Sequence, residues 1–157
     1  MSKSLRRVIA ALAEAGVDTD VLEMPGETRT AADAAREVGC EIDQIAKSII
    51  FRGKDSDQAL LFLTAGGRQV DVDQATKCAG EAPERADANF VRTTTGFAIG
   101  GVAPVGHVTA ASRIFFDPTL LRFGTVYAAA GTPKHIFPID PHVLLRITEA
   151  VEVPFSN

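Results

Sequence analysis

Two features of this sequence are suited to chemistry: a lysine beside an apolar run, and a glycine-rich segment further along the chain. Lys47 stands directly before Ser48 and the apolar residues 49–51. A cation at the edge of an apolar strand either extends into solvent or faces a polar cavity. In a cavity it would hold a phosphate, a carboxylate or a developing oxyanion. The residues around Lys47 leave both interpretations open.

The glycine-rich segment runs from Thr95 to His107 and holds four glycines and one proline among small apolar residues. Because glycine and proline at this density oppose helix formation, an irregular loop or a bent strand is predicted. The adjacent Gly100 and Gly101 let main-chain N–H groups approach a ligand without obstruction by Cβ. The segment therefore indicates either a site for an oxyanion or carbonyl, or a tight bend between strands.

Other familiar catalytic arrangements are not evident in the sequence. The three histidines, His107, His135 and His142, lack metal-ligand spacing. No nucleophile elbow, Walker loop or dinucleotide fingerprint is present. The two cysteines, Cys40 and Cys78, are far apart and predict free or buried thiols rather than a disulfide or a metal site. The residues alone therefore predict a small-ligand site of unspecified chemistry, with no metal and no cofactor.

The elements that must position Lys47 and the glycine-rich segment alternate between helices and strands. Hydrophobic spacing and capping signals predict helices over residues 5–12, 31–38, 73–78, 88–94, 118–122, and from 141 to about 151. Asp73 is the predicted cap of the helix over 73–78. Strands are predicted over 20–23, 48–51, 59–63, 113–116, 125–129 and 135–137, with one helical turn over 42–45. The polar residues 53–58 form a connection of hairpin length between the second and third of these strands. With no repeat and no linker, the pattern favours a single α+β domain over 1–157 with a mixed sheet.

Length and charge narrow the class of function. A chain of 157 residues that is 46% hydrophobic suits one domain with one core. No apolar run approaches the roughly 20 residues that span a bilayer, and no signal-peptide core is evident, so a cytoplasmic protein without a membrane partner is expected. The net charge of −4 disfavours duplex DNA as a partner but permits a local basic patch that receives one strand end.

Two motifs follow one another along this sequence. The first is Ala46-Lys47-Ser48-Ile49-Ile50-Phe51, and the second places Arg92, Thr95-Gly96-Phe97, Gly100-Gly101-Val102, Pro104 and Gly106 in one run. Together they resemble the YbaK/EbsC family, the stand-alone relatives of the bacterial prolyl-tRNA synthetase editing domain. The segment Tyr127–Gly131 and the helix at Asp140-Pro141 follow in the same order, so the resemblance covers nearly the whole chain. It implies one compact domain with a mixed, barrel-like sheet flanked by helices.

The resemblance implies an enzyme, an aminoacyl-tRNA deacylase that corrects mischarging in trans and so protects translation fidelity. A synthetase pocket sized for proline does not strongly exclude a smaller amino acid, since a lost methylene costs only about 1–3 kcal/mol. Family members use no metal and no covalent nucleophile of the protein, and the reacting group is water or the substrate's own hydroxyl or thiol. The implied partner is aminoacyl-tRNA, chiefly tRNA for proline, with a synthetase as a second candidate partner.

Carried onto this sequence, the resemblance assigns roles to particular residues. Lys47 would hold the terminal-nucleotide phosphate or the ester region, and the Gly100 and Gly101 N–H groups would bind the aminoacyl carbonyl as its oxygen gains charge. The other residues expected to contact substrate flank these three: Ser48, Thr95, Gly96, Phe97, Ile99, Val102, Pro104, Ala129 and Gly131.

The segment Tyr127–Gly131 departs from the cysteine-selective relatives, which often carry a serine there and an aspartate a few residues later. Neither polar group is evident here, where the later positions read Lys134-His135-Ile136. This difference favours alanine or another small aliphatic amino acid over cysteine. A non-catalytic module that binds a tRNA end or a synthetase is the alternative hypothesis, and a DNA-binding protein is a weaker third.

Overall fold

The computed structural model describes residues 1–28 and 30–157. Within this range, five α-helices and an eight-stranded mixed sheet confirm the predicted α+β fold class. The helices are α1 (Lys3–Glu14), α2 (Ala31–Val38), α3 (Val72–Ala79), α4 (Ala88–Thr95) and α5 (Pro141–Thr148). The strands are β1 (Leu22–Glu23), β2 (Ile45–Gly53), β3 (Ala59–Ala65), β4 (Pro83–Arg85), β5 (Arg113–Phe116), β6 (Val126–Thr132), β7 (His135–Ile139) and β8 (Val151–Glu152). Short 3₁₀ helices span Ile42–Gln44 and Pro118–Arg122.

Local capping chemistry sets most helix boundaries where the sequence predicts them. The Thr30 side chain accepts a hydrogen bond from the Asp33 amide at the start of α2, and Gly39 ends the helix with a φ of 74°. The predicted cap of α3 was wrong. Asp71 is the N-cap, and its carboxylate accepts hydrogen bonds from the amides of Asp73 and Gln74.

The last helix is shorter than predicted. α5 ends at Thr148 instead of continuing to about residue 151, because Glu149 adopts a φ of 55°. The chain then pairs Val151 and Glu152 with β5 as a parallel strand. Pairing with a partner distant in sequence thus replaces the last predicted helical turn.

The strand order in the sheet is β1-β7-β6-β2-β3-β5-β8, and β4 pairs separately with β2. The predicted hairpin of β2 and β3 is confirmed, with Ile49 opposite Phe62. β3 lies near the centre of the order and buries all seven of its residues. It separates two apolar clusters: Leu61 and Leu63 pack in the larger one with α1 and α5, while Leu60 and Phe62 pack in the other with α3.

The outer edge of β2 is paired in two separate stretches. β6 pairs in parallel with Ile45 and Ala46. β4 pairs antiparallel with the stretch from Phe51 to Gly53. Between these ladders, residues 47–50 have no strand partner on that edge within the described part of the chain. This gap includes Lys47 and the residues that follow it in the motif, and it leaves main-chain N–H and C=O groups of β2 available to bind a ligand.

Candidate active site

A cavity of about 550 Å³ lies along the gap in the edge of β2. This volume is within the range of small-ligand sites. Its walls come from β2 (residues 45–50), from the loop after α4 (99, 100 and 102), from β6 (127–129) and from the first half of α2 (31 and 34). The cavity therefore joins the two sequence motifs, although about fifty residues separate them.

Six of the residues expected to form the site line this one cavity: Lys47, Ser48, Ile99, Gly100, Val102 and Ala129. Ile99 is 61% exposed, and Gly100 beside it is also exposed. These two residues therefore lie at the mouth. Ala128 also lines the wall next to Ala129, so the β6 side of the cavity carries only small side chains beyond Tyr127.

The other six predicted residues lie behind or beside the lining. Thr95 is fully buried; its hydroxyl donates to Val91 O at 2.6 Å and accepts from the Phe97 amide at 3.0 Å. Phe97 is also fully buried, with its ring edge-to-face against His107. Both side chains support the loop from the core side. Their direct contact with substrate stays a prediction.

Three more of these residues are places of close backbone approach. Gly96 ends α4 with a φ of 81°. A Cβ on Gly101 would stand 3.0 Å from Thr132 Cα, and one on Gly131 would stand 2.8 Å from Ser4 O. Pro104, the sixth, lines a separate cavity of about 290 Å³.

Gly100 and Gly101 differ in how their amides are used. The Gly101 N–H donates to Ala98 O at 3.0 Å and closes a turn. The Gly100 N–H has no acceptor within the residues that the structure describes. Gly100 has a φ of 94°, and a Cβ there would meet no atom within 4 Å. Of the two adjacent amides, Gly100 is therefore the one free to meet a ligand.

The Lys47 side chain is half-buried and lines the cavity. Its Nζ donates to Arg68 O at 2.6 Å. Burial lowers the pKa of Lys47, while the negative charges of Asp43 and Asp117 act in the opposite direction. The lysine is thus a tethered cation in a partly desolvated position, where it acts more strongly on a nearby anion than it would in open water.

The turn that accepts the Lys47 hydrogen bond is itself anchored. Arg68 Nε donates to Ser156 Oγ at 2.7 Å, and Ser156 Oγ donates to Asp117 Oδ2 at 2.9 Å. Asp117 is buried, and its carboxylate also accepts from the amides of Ala65 and Thr119. This network links the C-terminal residues to the carbonyl that orients Lys47.

The main-chain groups along the gap in β2 have a defined direction. Gly53 N–H donates to Gln58 O on the β3 side, whereas Lys54 N–H donates to Ala82 O on the β4 side. Since hydrogen-bonding direction alternates along an antiparallel strand, Ser48 and Ile50 direct their N–H and C=O groups toward the cavity. Ser48 Oγ is buried and has no hydrogen-bond partner among the described residues. These groups form a polar strip that a ligand would satisfy.

The sequence motifs missed the α2 side of the cavity. Ala31, Ala34 and Tyr127 all line it. The alanine-rich composition of α2 was a usable signal, because small side chains let a helix approach a cavity closely. Tyr127 begins the segment 127–131 of the resemblance, but only Ala129 and Gly131 of that segment were expected to contact substrate. Tyr127 reaches the cavity through the register of β6.

The remaining chemistry-bearing groups are dispersed. Across residues 1–28 and 30–157, no three or more His, Cys, Asp or Glu side chains are arranged to hold a metal ion. Cys40 and Cys78 are free thiols, as predicted. Nor does any described helix combine the length and apolarity required to cross a membrane.

Comparison with known proteins places the chain in a family. The sequence pattern of the aminoacyl-tRNA editing domain matches residues 25–147. The chain belongs to this family, and the predicted YbaK-type resemblance is confirmed. Protein YwhH of Bacillus subtilis (strain 168) is 31% identical over 141 residues, which cover 90% of this chain and 88% of that protein.

Two solved structures are similar over nearly their full length. A candidate trans-editing enzyme for prolyl-tRNA synthetase is 42% identical, with a TM-score of 0.92 over 100% of this chain and 99% of the other. Hypothetical protein APE2540 is 26% identical, with a TM-score of 0.88 over 96% of this chain and 99% of the other.

Proposed function

We propose that this protein is a trans-editing aminoacyl-tRNA deacylase, which hydrolyses the ester between a small amino acid, such as alanine or cysteine, and tRNA for proline. The observation that carries the proposal is the convergence of Lys47 and Ser48 with Gly100 on one cavity beside the small side chains of Ala128 and Ala129. The family of the chain supports the same activity.

The proposed reaction needs stabilisation of one developing negative charge. The oxygen of water attacks the ester carbonyl carbon, and the carbonyl oxygen becomes an oxyanion. Collapse of this intermediate breaks the bond from the acyl carbon to the ribose oxygen. The ribose oxygen takes the proton that water gives up, so the products are the free amino acid and uncharged tRNA. The Lys47 ammonium and the Gly100 N–H are the groups suited to the oxyanion or the adjacent phosphate.

The polar strip of β2 suits the rest of the aminoacyl end. An α-ammonium group carries only donors, so it pairs with the carbonyl oxygens of Ser48 or Ile50 that face the cavity. The free Ser48 hydroxyl offers one more acceptor or donor. A cavity of about 550 Å³ has room for the terminal nucleoside as well as a small amino acid.

The choice of amino acid rests on the β6 wall. Ala128 and Ala129 leave space for a short side chain and offer it no side-chain hydrogen bond. We infer that alanine or another small aliphatic residue is the preferred substrate, with cysteine less favoured. The whole chain, residues 1–157, is the proposed working unit. It would act in the cytoplasm on tRNA released by the synthetase, or beside the synthetase itself.

A panel of charged tRNAs tests the proposal. Purified protein is mixed separately with Ala-, Cys-, Ser- and Pro-charged tRNA for proline, and release of amino acid is followed against the spontaneous rate. The expected result is fastest release of alanine, with Pro-tRNA left intact. Tight binding of charged tRNA with no release of any amino acid would replace the enzyme with a non-catalytic tRNA-end or synthetase-binding module.

A further inference from the structure

The loop that carries Gly100 is held at both ends by one side chain from the N-terminal helix. Arg7 Nη2 donates to Gly96 O at 2.9 Å, where the loop leaves α4. Arg7 Nε donates to Gly106 O at 3.1 Å, near the other end of the loop. The same guanidinium lies over the ring of Phe97, 5.0 Å from its centroid. One residue thus contacts the beginning, the end and the buried anchor of the loop.

The helix that carries Arg7 is a firm support. α1 buries Leu5, Val8 and Leu12 in the larger apolar cluster. The loop approaches this helix so closely that a Cβ on Gly106 would stand 3.1 Å from Arg7 O. The position of the guanidinium is therefore set by the core. It holds the loop together with two main-chain hydrogen bonds at the base of the loop, from Val108 N–H to Thr95 O at 3.0 Å and from Thr109 N–H to Thr94 O at 2.9 Å.

The chemistry of arginine suits this task. Its planar group directs several N–H donors outward in a fixed fork, so it binds two carbonyls at once, and its flat face stacks on an aromatic ring. A lysine in the same place would supply one compact charge without the fork. Arg7 also lies outside residues 25–147, the part of the chain that matches the editing-domain pattern.

We propose that Arg7 is a positioning residue, which holds the loop from Gly96 to Gly106 so that the Gly100 amide faces the cavity. The role in catalysis rests on the proposed deacylase function, whereas the role in holding the loop does not. Removal of the guanidinium leaves the carbonyls of Gly96 and Gly106 without their shared donor, and the loop then samples positions in which Gly100 points elsewhere.

The first experiment measures directly how firmly the loop is held. Amide hydrogen exchange over residues 96–107 is compared in the wild type, Arg7→Ala and the matched control Arg6→Ala, whose side chain is exposed on the same helix. We expect faster exchange in this loop for Arg7→Ala alone, with β2 and β3 unchanged. Equal exchange in both variants would overturn the proposal. If Arg7→Ala does not fold, Arg7→Lys is measured in the same way, and wild-type exchange in that variant would also overturn it.

The second experiment reads catalysis with the preferred charged tRNA. For Arg7→Ala we expect kcat to fall roughly 10- to 100-fold with little change in KM, since a small misplacement of a reacting group has an effect of this size. Added guanidinium ion, well below denaturing concentration, should restore part of kcat in Arg7→Ala and none in Lys47→Ala. Loss of activity without rescue, together with unchanged loop exchange, would contradict positioning. An inactive wild type would overturn the proposed function instead, and the exchange contrast would still decide the role of Arg7.

Discussion

The two walls of the cavity that carry its proposed catalytic groups are held in different ways. The β2 wall is a strand paired with β3 over Ala46–Arg52, and its other edge is paired at both ends of the gap. The loop wall has no strand pairing among the described residues. Main-chain hydrogen bonds close its base, and the rest of the loop depends on particular side chains, above all Arg7 and Thr95. A backbone ladder keeps its position when a side chain changes, whereas a loop held by side chains moves with them.

This difference separates two kinds of substitution. A change on β2 should remove a chemical group while the rest of the cavity stays in place. A change in or behind the loop should move groups that are themselves unaltered. Activity and stability measured together therefore distinguish the two walls.

Substitution of Lys47 should have the largest effect. Lys47→Ala removes the tethered cation from the β2 wall, and we expect kcat/KM for deacylation to fall by about 10²–10³-fold, as for loss of one oxyanion donor. The free energy of unfolding should fall by only about 1 kcal/mol, because the hydrogen bond from Nζ to Arg68 O is lost. Lys54→Ala, in the exposed turn after β2, is the control and should keep full activity. Full activity of Lys47→Ala would show that this lysine is an ordinary strand-edge cation with no part in catalysis.

Gly100→Ala tests the loop wall. The φ of 94° strains any residue with a Cβ, although a Cβ there would have no atom of the described residues within 4 Å. We expect the amide to shift and kcat to fall about tenfold, with a loss of stability of about 1–2 kcal/mol. Gly80→Ala is the matched control, since Gly80 has a φ of 74° and open space but lies at the end of α3, away from the cavity lining. Equal activity in the two variants would contradict a role for the Gly100 amide.

Ser48→Ala should have a smaller and purely functional effect. The buried Ser48 hydroxyl has no partner in the described chain, so its removal leaves no other group unsatisfied, and stability should stay constant or rise slightly. We expect KM to rise a few-fold. Ser112→Ala is the opposite case, because that hydroxyl donates to Ala59 O at 3.0 Å. It should lose about 1 kcal/mol of stability and keep its KM. An unchanged KM in Ser48→Ala would exclude the hydroxyl from substrate binding.

The smallest expected effect is a dependence of stability on pH, which arises from a histidine packed behind the loop. Burial lowers the pKa of the His107 imidazole. The contact of His107 Nε2 with Ala103 O at 2.6 Å acts in the opposite direction, and the charge of Arg7 lowers the pKa further. As pH falls below about 6.5, the unfolded chain binds a proton that the folded protein resists, so stability should decrease. At higher pH both states are neutral, and the effect disappears.

Thermal unfolding between pH 5 and 8 measures this dependence. His107→Gln should flatten the acid limb of the stability profile. An identical slope in the wild type and His107→Gln would show that His107 does not carry the dependence.

Local signals predicted most of the elements because those signals act over a few residues. Thr30 and Gly39 bound α2 as expected, and the polar turn between β2 and β3 forms the predicted hairpin. β4 and β8 were missed because strands of three and two residues have no recognisable periodicity of their own. Both strands form because a longer strand is available to pair with them, β2 for β4 and β5 for β8.

The site was predictable to the extent that its residues lie in motifs. Lys47, Ser48 and Gly100 stand in conspicuous sequence and do line the cavity. Phe97 stands in the same motif but is fully buried behind the loop. Irregular segments have no periodicity that separates inward from outward side chains, so the motif alone did not distinguish lining from support.

The sequence by itself determined the fold class, most helix and strand positions and the two motifs, because capping, turn chemistry and hydrophobic periodicity are properties of neighbouring residues. Tertiary structure alone decided that one edge of β2 has no strand partner between two ladders, that among the described residues the amide of Gly100 and not of Gly101 is free, and that Arg7 spans the loop. Each of these depends on contacts between segments distant in the sequence. Such contacts form only when the core brings the segments together, and no local pattern records them.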